Sequence, residues 1–506
     1  MPPVANIAPP YLQCGTGAIL WPAMTRNLTL PLRLLCLLCL LAAATARADS
    51  GDYNLPGFGE GNAVSLNQEY YLGRAWLMSF RRQAPVVDDP LLQDYVENLL
   101  YRLAVSSQLR ERRLELVLVD NRSINAFAVP GGVVGVHTGL IAKAQNEAQF
   151  TSVLTHELAH LSQRHFARGI EAQKQSSAAM MAGLLGGLVA IAAGAGDAGM
   201  AAIMGGQAAA MDSQLRYSRQ HEQEADRVGM QNQVNAGLDP GGAAGMFEVM
   251  QADSRRYGAT PPEFLLTHPL TESRIADAKN RAATYPKRIY QDDPNFQLMR
   301  ARVEVSFFDD SGKAVARFRE KRASGGKQAV PAQYGLVLAL TENGDFAEAR
   351  ELLQPMREYR PDNITYLVAD ANIDIGQEQY DIAIGMLQDG LEISPGNHPI
   401  TMTLGTAYEK GGYYEKADRL LSRHARKHSS DAQLWYQLAE VQGKAGNILG
   451  LHQSRAEYFY LNGAIEQAIE QLNLALPKAT NNVTVERLHT RIAYFRNVGR
   501  ALGQLE

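Results

Sequence analysis

The hydrophobic pattern changes period along the chain. Residues 114–119 alternate apolar and polar with the two-residue period of a strand, 124–129 follow after Asp120-Asn121, and 133–137 follow the turn residues Pro130-Gly131-Gly132. These runs predict a small antiparallel sheet. From Asn146 to Ala172 neither Pro nor Gly intervenes before Gly169, and Asn146 with Gln149 three residues on supplies a capping pair. That segment predicts one helix packed on the sheet.

Residues 176–211 are different again: Asp197 is the only charge in an Ala-, Gly- and Met-rich run. Its many glycines make it a poor membrane-spanning helix. A mobile apolar lid, able to gate a site or touch a membrane surface peripherally, and a buried core hairpin are the two readings it allows. Further on the chain repeats. Phe346, Tyr380 and Tyr414 are 34 residues apart, as are Ala349, Ala383 and Ala417, with Pro361 and Pro395 at the same interval. An aromatic and a small residue on one helix face at that period are the tetratricopeptide signature. The register then breaks, since Ile465 and Ala468 restore the pattern 51 residues after Tyr414 and Ala417, and residues 448–462 are expected to form a longer helix or a connector. Ser324-Gly325-Gly326-Lys327 marks a loop, with one more helical hairpin upstream from about Asn295.

Composition adds compartment rather than chemistry. With 506 residues, 46% hydrophobic and 20% charged, the chain is ordinary globular material with room for more than one core. A net charge of −4 gives no reason to expect a nucleic acid partner. The first 48 residues read as a secretory signal peptide: from Met24, a plausible true start, Arg26 and Arg33 precede an apolar run over 34–44 and a small-x-small site at Ala46-Arg47-Ala48. That run is far shorter than the roughly 20 residues needed to cross a bilayer. All three cysteines, Cys14, Cys36 and Cys39, precede the expected cleavage point, so thiol chemistry is excluded from the mature chain, which suits an oxidising compartment.

The chemistry lies in His156-Glu157-Leu158-Ala159-His160. On a helix His156 and His160 are one turn apart on one face, where both imidazoles reach a single metal ion, and Glu157 lies about 100° round, beside the ion's open position, as a general base. A third His in the metzincin pattern is excluded, because Gln163 and Phe166 stand where Gly and His would be needed, and His165 points off the ligand face. The best remaining ligand is a carboxylate from His221-Glu222-Gln223-Glu224-Ala225-Asp226. Glu222 and Asp226 share a helix face, with Glu224 about 200° from Glu222, so Glu222 is the preferred ligand and Asp226 is set to orient an imidazole. His268 in Thr267-His268-Pro269-Leu270-Thr271-Glu272-Ser273-Arg274-Ile275 is free of regular helix because Pro269 follows it. It reads as a regulatory fourth ligand, a transition-state group or a structural histidine. Val133, Val134, Gly135, Val136 and His137 are the candidate edge strand for an extended peptide, or a plain core strand.

HELAH, EQEAD and HPLTESRI, in that order over residues 60–285, resemble the zinc metallopeptidase family that includes HtpX and the CAAX prenyl proteases. The resemblance implies one Zn2+ per chain on His156, His160 and Glu222, with Glu157 as base and Asp226 as the second acidic catalytic residue. HtpX and the prenyl proteases carry several transmembrane helices, which this chain lacks. Soluble periplasmic members join such a domain to tetratricopeptide repeats, which implies stalled or unfolded outer-membrane proteins as substrates and the β-barrel assembly machinery as a partner. The expected fold class is an α+β zincin-like metallopeptidase domain (49–290) followed by an all-α tetratricopeptide solenoid (295–500). A chaperone or scaffold for outer-membrane protein assembly, in which proteolysis is rare, is the alternative function.

Overall fold

A computed structural model describes residues 65–172, 219–256 and 262–503. The expected signal peptide and the whole of the expected lid at 176–211 therefore lie outside the described residues. Contacts divide the chain into Met1–Tyr53 and Asn54–Glu506, and every described residue belongs to the second unit. No helix among the described residues is long and apolar enough to cross a membrane.

The first helix, α1 (Leu66–Gln83), opens on a capping box between Ser65 and Gln68, and α2 (Pro90–Val105) on Asp89, whose carboxylate accepts from the Leu91 and Leu92 N–H groups. Three strands follow, β1 (Glu115–Val119), β2 (Ala126–Val129) and β3 (Val133–His137), in the order β1-β3-β2. The sheet is mixed, not antiparallel: β3 pairs with β2 antiparallel through the Pro130-Gly131-Gly132 turn and with β1 parallel on its other side. Alternation gives the sheet two apolar faces. Val117, Val119, Val129 and Val133 meet Trp76, Leu77 and Phe80 of α1, while Leu116, Leu118, Ala126, Val134 and Val136 enter the large core. Gly135 has to be glycine, since a Cβ there would stand 1.9 Å from the Phe127 ring, which packs edge-on to Trp76 and Phe80.

This arrangement corrects the edge-strand expectation. Val133, Val134, Gly135, Val136 and His137 form the central strand, with main-chain groups engaged on both sides. Both β1 and β2 are edges of this sheet: the outer side of β1 is met in part by Val86 and Val87, while β2 runs beside the metal-motif helix, where the Ala128 N–H acts on the Glu157 carboxylate.

After α3 (Thr138–Lys143) comes α4 (Glu147–Ser162), capped by Asn146, whose side chain accepts from the Gln149 N–H at 2.9 Å. Every residue from Glu147 to His160 is buried, so this helix is enclosed all round rather than laid on a surface. The single helix expected to Ala172 breaks after Ser162. Arg164 takes the left-handed φ of 52° and its guanidinium bonds Glu69 at 2.8 Å, which turns α5 (His165–Ala172) back on α4. The next helices are α6 (Arg219–Asn235), α7 (Gly242–Arg256), the short α8 (Glu263–Thr267) and α9 (Glu272–Thr284). Helix α6 crosses α4 closely, because a Cβ on Gly229 would lie only 3.0 Å from the His156 backbone nitrogen.

From Pro294 to Gly503 the described chain is helical hairpins. One hydrophobic cluster runs from Leu91 to Ile373 and so crosses residues 290–295, where the sequence suggests a domain boundary. The 34-residue spacing is real in three dimensions: Phe346, Tyr380 and Tyr414 each open a helix, and Ala349, Ala383 and Ala417 are fully buried. The register does not break at 448. The helix Ile448–Leu461 begins 34 residues after Tyr414 and pairs with Ala432–Lys444. Ile448 and Leu451 stand there in place of the aromatic and alanine, and buried Gly450 supplies the small residue, so the pattern was hidden by substitution.

Candidate metal centre

Two imidazoles converge from α4. His156 Nε2 and His160 Nε2 are 3.0 Å apart, Glu222 of α6 brings Oε2 to 3.5 Å from the first and Oε1 to 3.4 Å from the second, and all of these residues are buried. His268, at the end of α8, adds Nδ1 at 3.4 Å from His156 Nε2 and 3.1 Å from Glu222 Oε1. These four donors lie within 4.8 Å of one another. A tetrahedral ion with bonds of about 2.1 Å needs ligand atoms roughly 3.4 Å apart. The separations fit that edge.

The outer partners fix the nitrogen that each imidazole turns inward. Asp226 Oδ1 sits 3.0 Å from His156 Nδ1, so the proton is assigned to Nδ1 and the Nε2 lone pair faces the centre. For His160 the same is done by a chain: its Nδ1 meets His165 Nδ1 at 2.9 Å, while His165 Nε2 faces Glu224 at 3.2 Å and Glu224 is held by Arg168 at 2.9 Å. Burial holds His165 down at about 4, hence neutral, so it donates to Glu224 and accepts from His160. The break at Arg164 is what returns His165 to the site, contrary to the expectation that it points away.

Electrostatically the pocket requires a cation. Glu157, Glu222 and Asp226 crowd into it against one guanidinium, that of Arg274 on α9. Burial would lower His156, but hydrogen bonds to Asp226 and Glu222 outweigh it and push the ring up to about 10. Glu157 is 1% exposed and burial raises it above the usual carboxylate range. Its Oε1 has no hydrogen-bond partner among the described residues, although His268 Nε2 lies 3.5 Å away. A buried carboxylate oxygen without a hydrogen bond, beside converging imidazole and carboxylate donors, fits a metal site.

Peptidase family M48 matches residues 90–282, a span that contains His156, His160, Glu222, His268 and Arg274. The beta-barrel assembly-enhancing protease of Escherichia coli (strain K12) is 35% identical over 435 residues, 85% of this chain and 88% of that protein. The chain belongs to peptidase family M48. A putative beta-barrel assembly-enhancing protease of Vibrio cholerae is 34% identical over 87% of the chain and 92% of its own length. The mitochondrial metalloendopeptidase OMA1 of Schizosaccharomyces pombe is 30% identical over 36% of the chain and 50% of its own. The M48 assignment makes the protein a metallopeptidase, and the donor set is where its ion fits.

The M48 motifs contain two surprises. Asp226, expected to orient an imidazole and, by resemblance, to be the second acidic catalytic residue, has its oxygens engaged by His156 Nδ1 and by Arg274 Nε and Nη2 at 2.7 and 2.8 Å, a geometry that fits the orienting role. Arg274, 4% exposed, also reaches Glu222 Oε2 at 2.8 Å and donates to the Pro269 carbonyl at 2.9 Å. It stands inside HPLTESRI, and Thr271, which caps α9, signals the helix that carries it, but nothing in one sequence says that its side chain turns inward.

Proposed function

We propose that this M48 peptidase is a periplasmic zinc endopeptidase with a tetratricopeptide docking domain, acting on outer-membrane proteins stalled in assembly. The observation that carries the metal chemistry is the set of 3.0–3.5 Å separations among His156, His160 and Glu222. Zinc bound by these three residues polarises a peptide carbonyl and acidifies water. Glu157 Oε1 then takes the proton of the attacking water as its oxygen joins the carbonyl carbon, and returns it to the amide nitrogen as the C–N bond breaks. The β2 edge, Ala126–Val129, replaces Val133–His137 as the strand beside which an extended peptide lies. Asp226 and Arg274 hold His156 and Glu222 in position.

His268 acts as a restraint: beside His156 and Glu222 it would offer a bound ion a fourth donor, and its withdrawal would make room for substrate. The substrate class and the β-barrel assembly machinery as partner rest on the names of the E. coli and V. cholerae relatives, and the docking role of the C-terminal hairpins rests on their 34-residue period.

The test is the zinc that survives exhaustive dialysis. Glu222→Ala loses it, whereas Glu224→Ala, which disturbs only the far end of the His165 chain, retains about one ion per chain with weakened affinity. If Glu224→Ala alone strips the metal, the ligand assignment is wrong.

A further inference from the structure

A second group of histidines lies far along the sequence from the peptidase motifs. His398 opens the helix His398–Lys410, His424 lies in the last turn of Tyr414–Ala425, and His428 follows in the turn after it. The His428 N–H bonds the His424 carbonyl at 3.1 Å, so the helical path continues locally and the two rings share a face at the i, i+4 spacing found in HELAH. His398 Nδ1 and His424 Nε2 face each other at 3.0 Å, and each of the three residues has a ring nitrogen within 4.8 Å of the others. Behind them, Asp431 Oδ2 stands 3.6 Å from His398 Nε2 while its Oδ1 caps the helix Ala432–Lys444 at 3.0 Å, which fixes the carboxylate.

We propose that His398, His424 and His428 form a second metal site, for a divalent first-row transition ion of the zinc or nickel type, with Asp431 orienting His398 from outside. A carboxylate on one imidazole nitrogen and an inward lone pair on the other is the arrangement metal-binding histidines use, and three imidazoles select such ions over magnesium or calcium.

The approach to the site favours cations. His398, His428 and Asp431 line a cavity of about 460 Å³ together with Asp88 and Glu97. Burial, and after it the like charges of Asp431 and Asp89, raise Asp88 to about 6. Lys427 opposes this negative charge, as do Arg74, Arg81 and Arg113 on the cavity wall, though Arg74 and Arg81 are engaged with Glu115 and Arg113 with Glu111. The His398–His424 pair already matches a tetrahedral edge of roughly 3.4 Å. His428, half-buried on a turn and stacked on His424 with centroids 4.1 Å apart, is the ligand that swings inward on binding. The competing arrangement is a plain N–H···N hydrogen bond between His398 and His424, which needs no ion.

The experiment uses the full-length holoenzyme with its peptidase site already loaded, titrated with zinc chloride and followed by calorimetry and thermal melting. Wild type takes up a second equivalent and melts higher for it. His398→Ala and His428→Ala each lose that equivalent and the rise in melting temperature while keeping the first ion and wild-type turnover on an unstructured peptide. Asp431→Asn weakens the second equivalent about tenfold. His428→Ala lies on a turn, so it serves even where His398→Ala folds poorly. No second equivalent in wild type, or its survival in both histidine variants, overturns the site.

Discussion

Arg274→Met removes the one guanidinium that separates two carboxylates beside the metal ligands. Arg274 is 4% exposed and makes contacts of 2.7 and 2.8 Å to Asp226 and 2.8 Å to Glu222, so its loss strands one buried and one half-buried anion. Breaking a buried ion pair from one side costs about 3–5 kcal/mol. That sum appears as lowered stability of the metal-free protein. The loaded protein suffers a second loss, because neither His156, through Asp226, nor Glu222 is held in register, and groups of this kind are worth about 10–100-fold in metal affinity, or roughly 1.4–2.8 kcal/mol. Relief of repulsion between guanidinium and ion works the other way, but Asp226 already neutralises that charge at 2.7 Å, so positioning dominates. Arg274→Lys restores a charge without the two-pronged geometry and falls between wild type and Met. Thermal melts with and without metal, together with chelator competition for zinc affinity, read both effects. Wild-type melting and wild-type affinity in Arg274→Met would refute the reasoning.

Gly229→Ala forces a Cβ to 3.0 Å from the His156 nitrogen and the Thr155 carbonyl, so α4 and α6 part by a few tenths of an ångström; a loss of about 1–3 kcal/mol and weaker metal binding are expected in a melt and a chelator titration, and unchanged values would show that the crossing is not tight. Asp226→Ala lowers metal affinity about 10–100-fold, yet turnover recovers at saturating zinc if the residue only positions His156. A variant fully loaded and still inactive would return Asp226 to the chemistry. His268→Ala raises basal cleavage of an unstructured peptide or self-cleavage with zinc retained, whereas lowered turnover at full zinc content would make it a transition-state group instead.

Much of the site was legible because helical spacing is a rigid ruler. His156, Glu157 and His160 on one helix, and Glu222 rather than Glu224 on another, follow from 3.6 residues per turn, and the structure brings His156, His160 and Glu222 to within 3.5 Å. What escaped depends on chain direction after a break or on contacts across space. One left-handed residue, Arg164, ends α4 early and turns His165 from a bystander into the partner of His160. Strand order escaped too, since alternation identifies β1, β2 and β3 but does not say that β1 joins the far side of β3 in parallel. Gly229 looked like an ordinary helix glycine and is the contact point of the two ligand helices. The repeat pattern failed only where Ile448 and Leu451 replaced its marker residues.

Cleavage of an unfolded outer-membrane protein by Glu157→Gln, with bound zinc measured on the same sample, tests the central claim most directly. Gln keeps the shape of a residue 1% exposed and leaves His156, His160 and Glu222 untouched, so fold and metal persist, but it has no basic oxygen to accept the proton of the attacking water. The account predicts wild-type zinc content with proteolysis reduced by several orders of magnitude. Undiminished cleavage with zinc in place would contradict it.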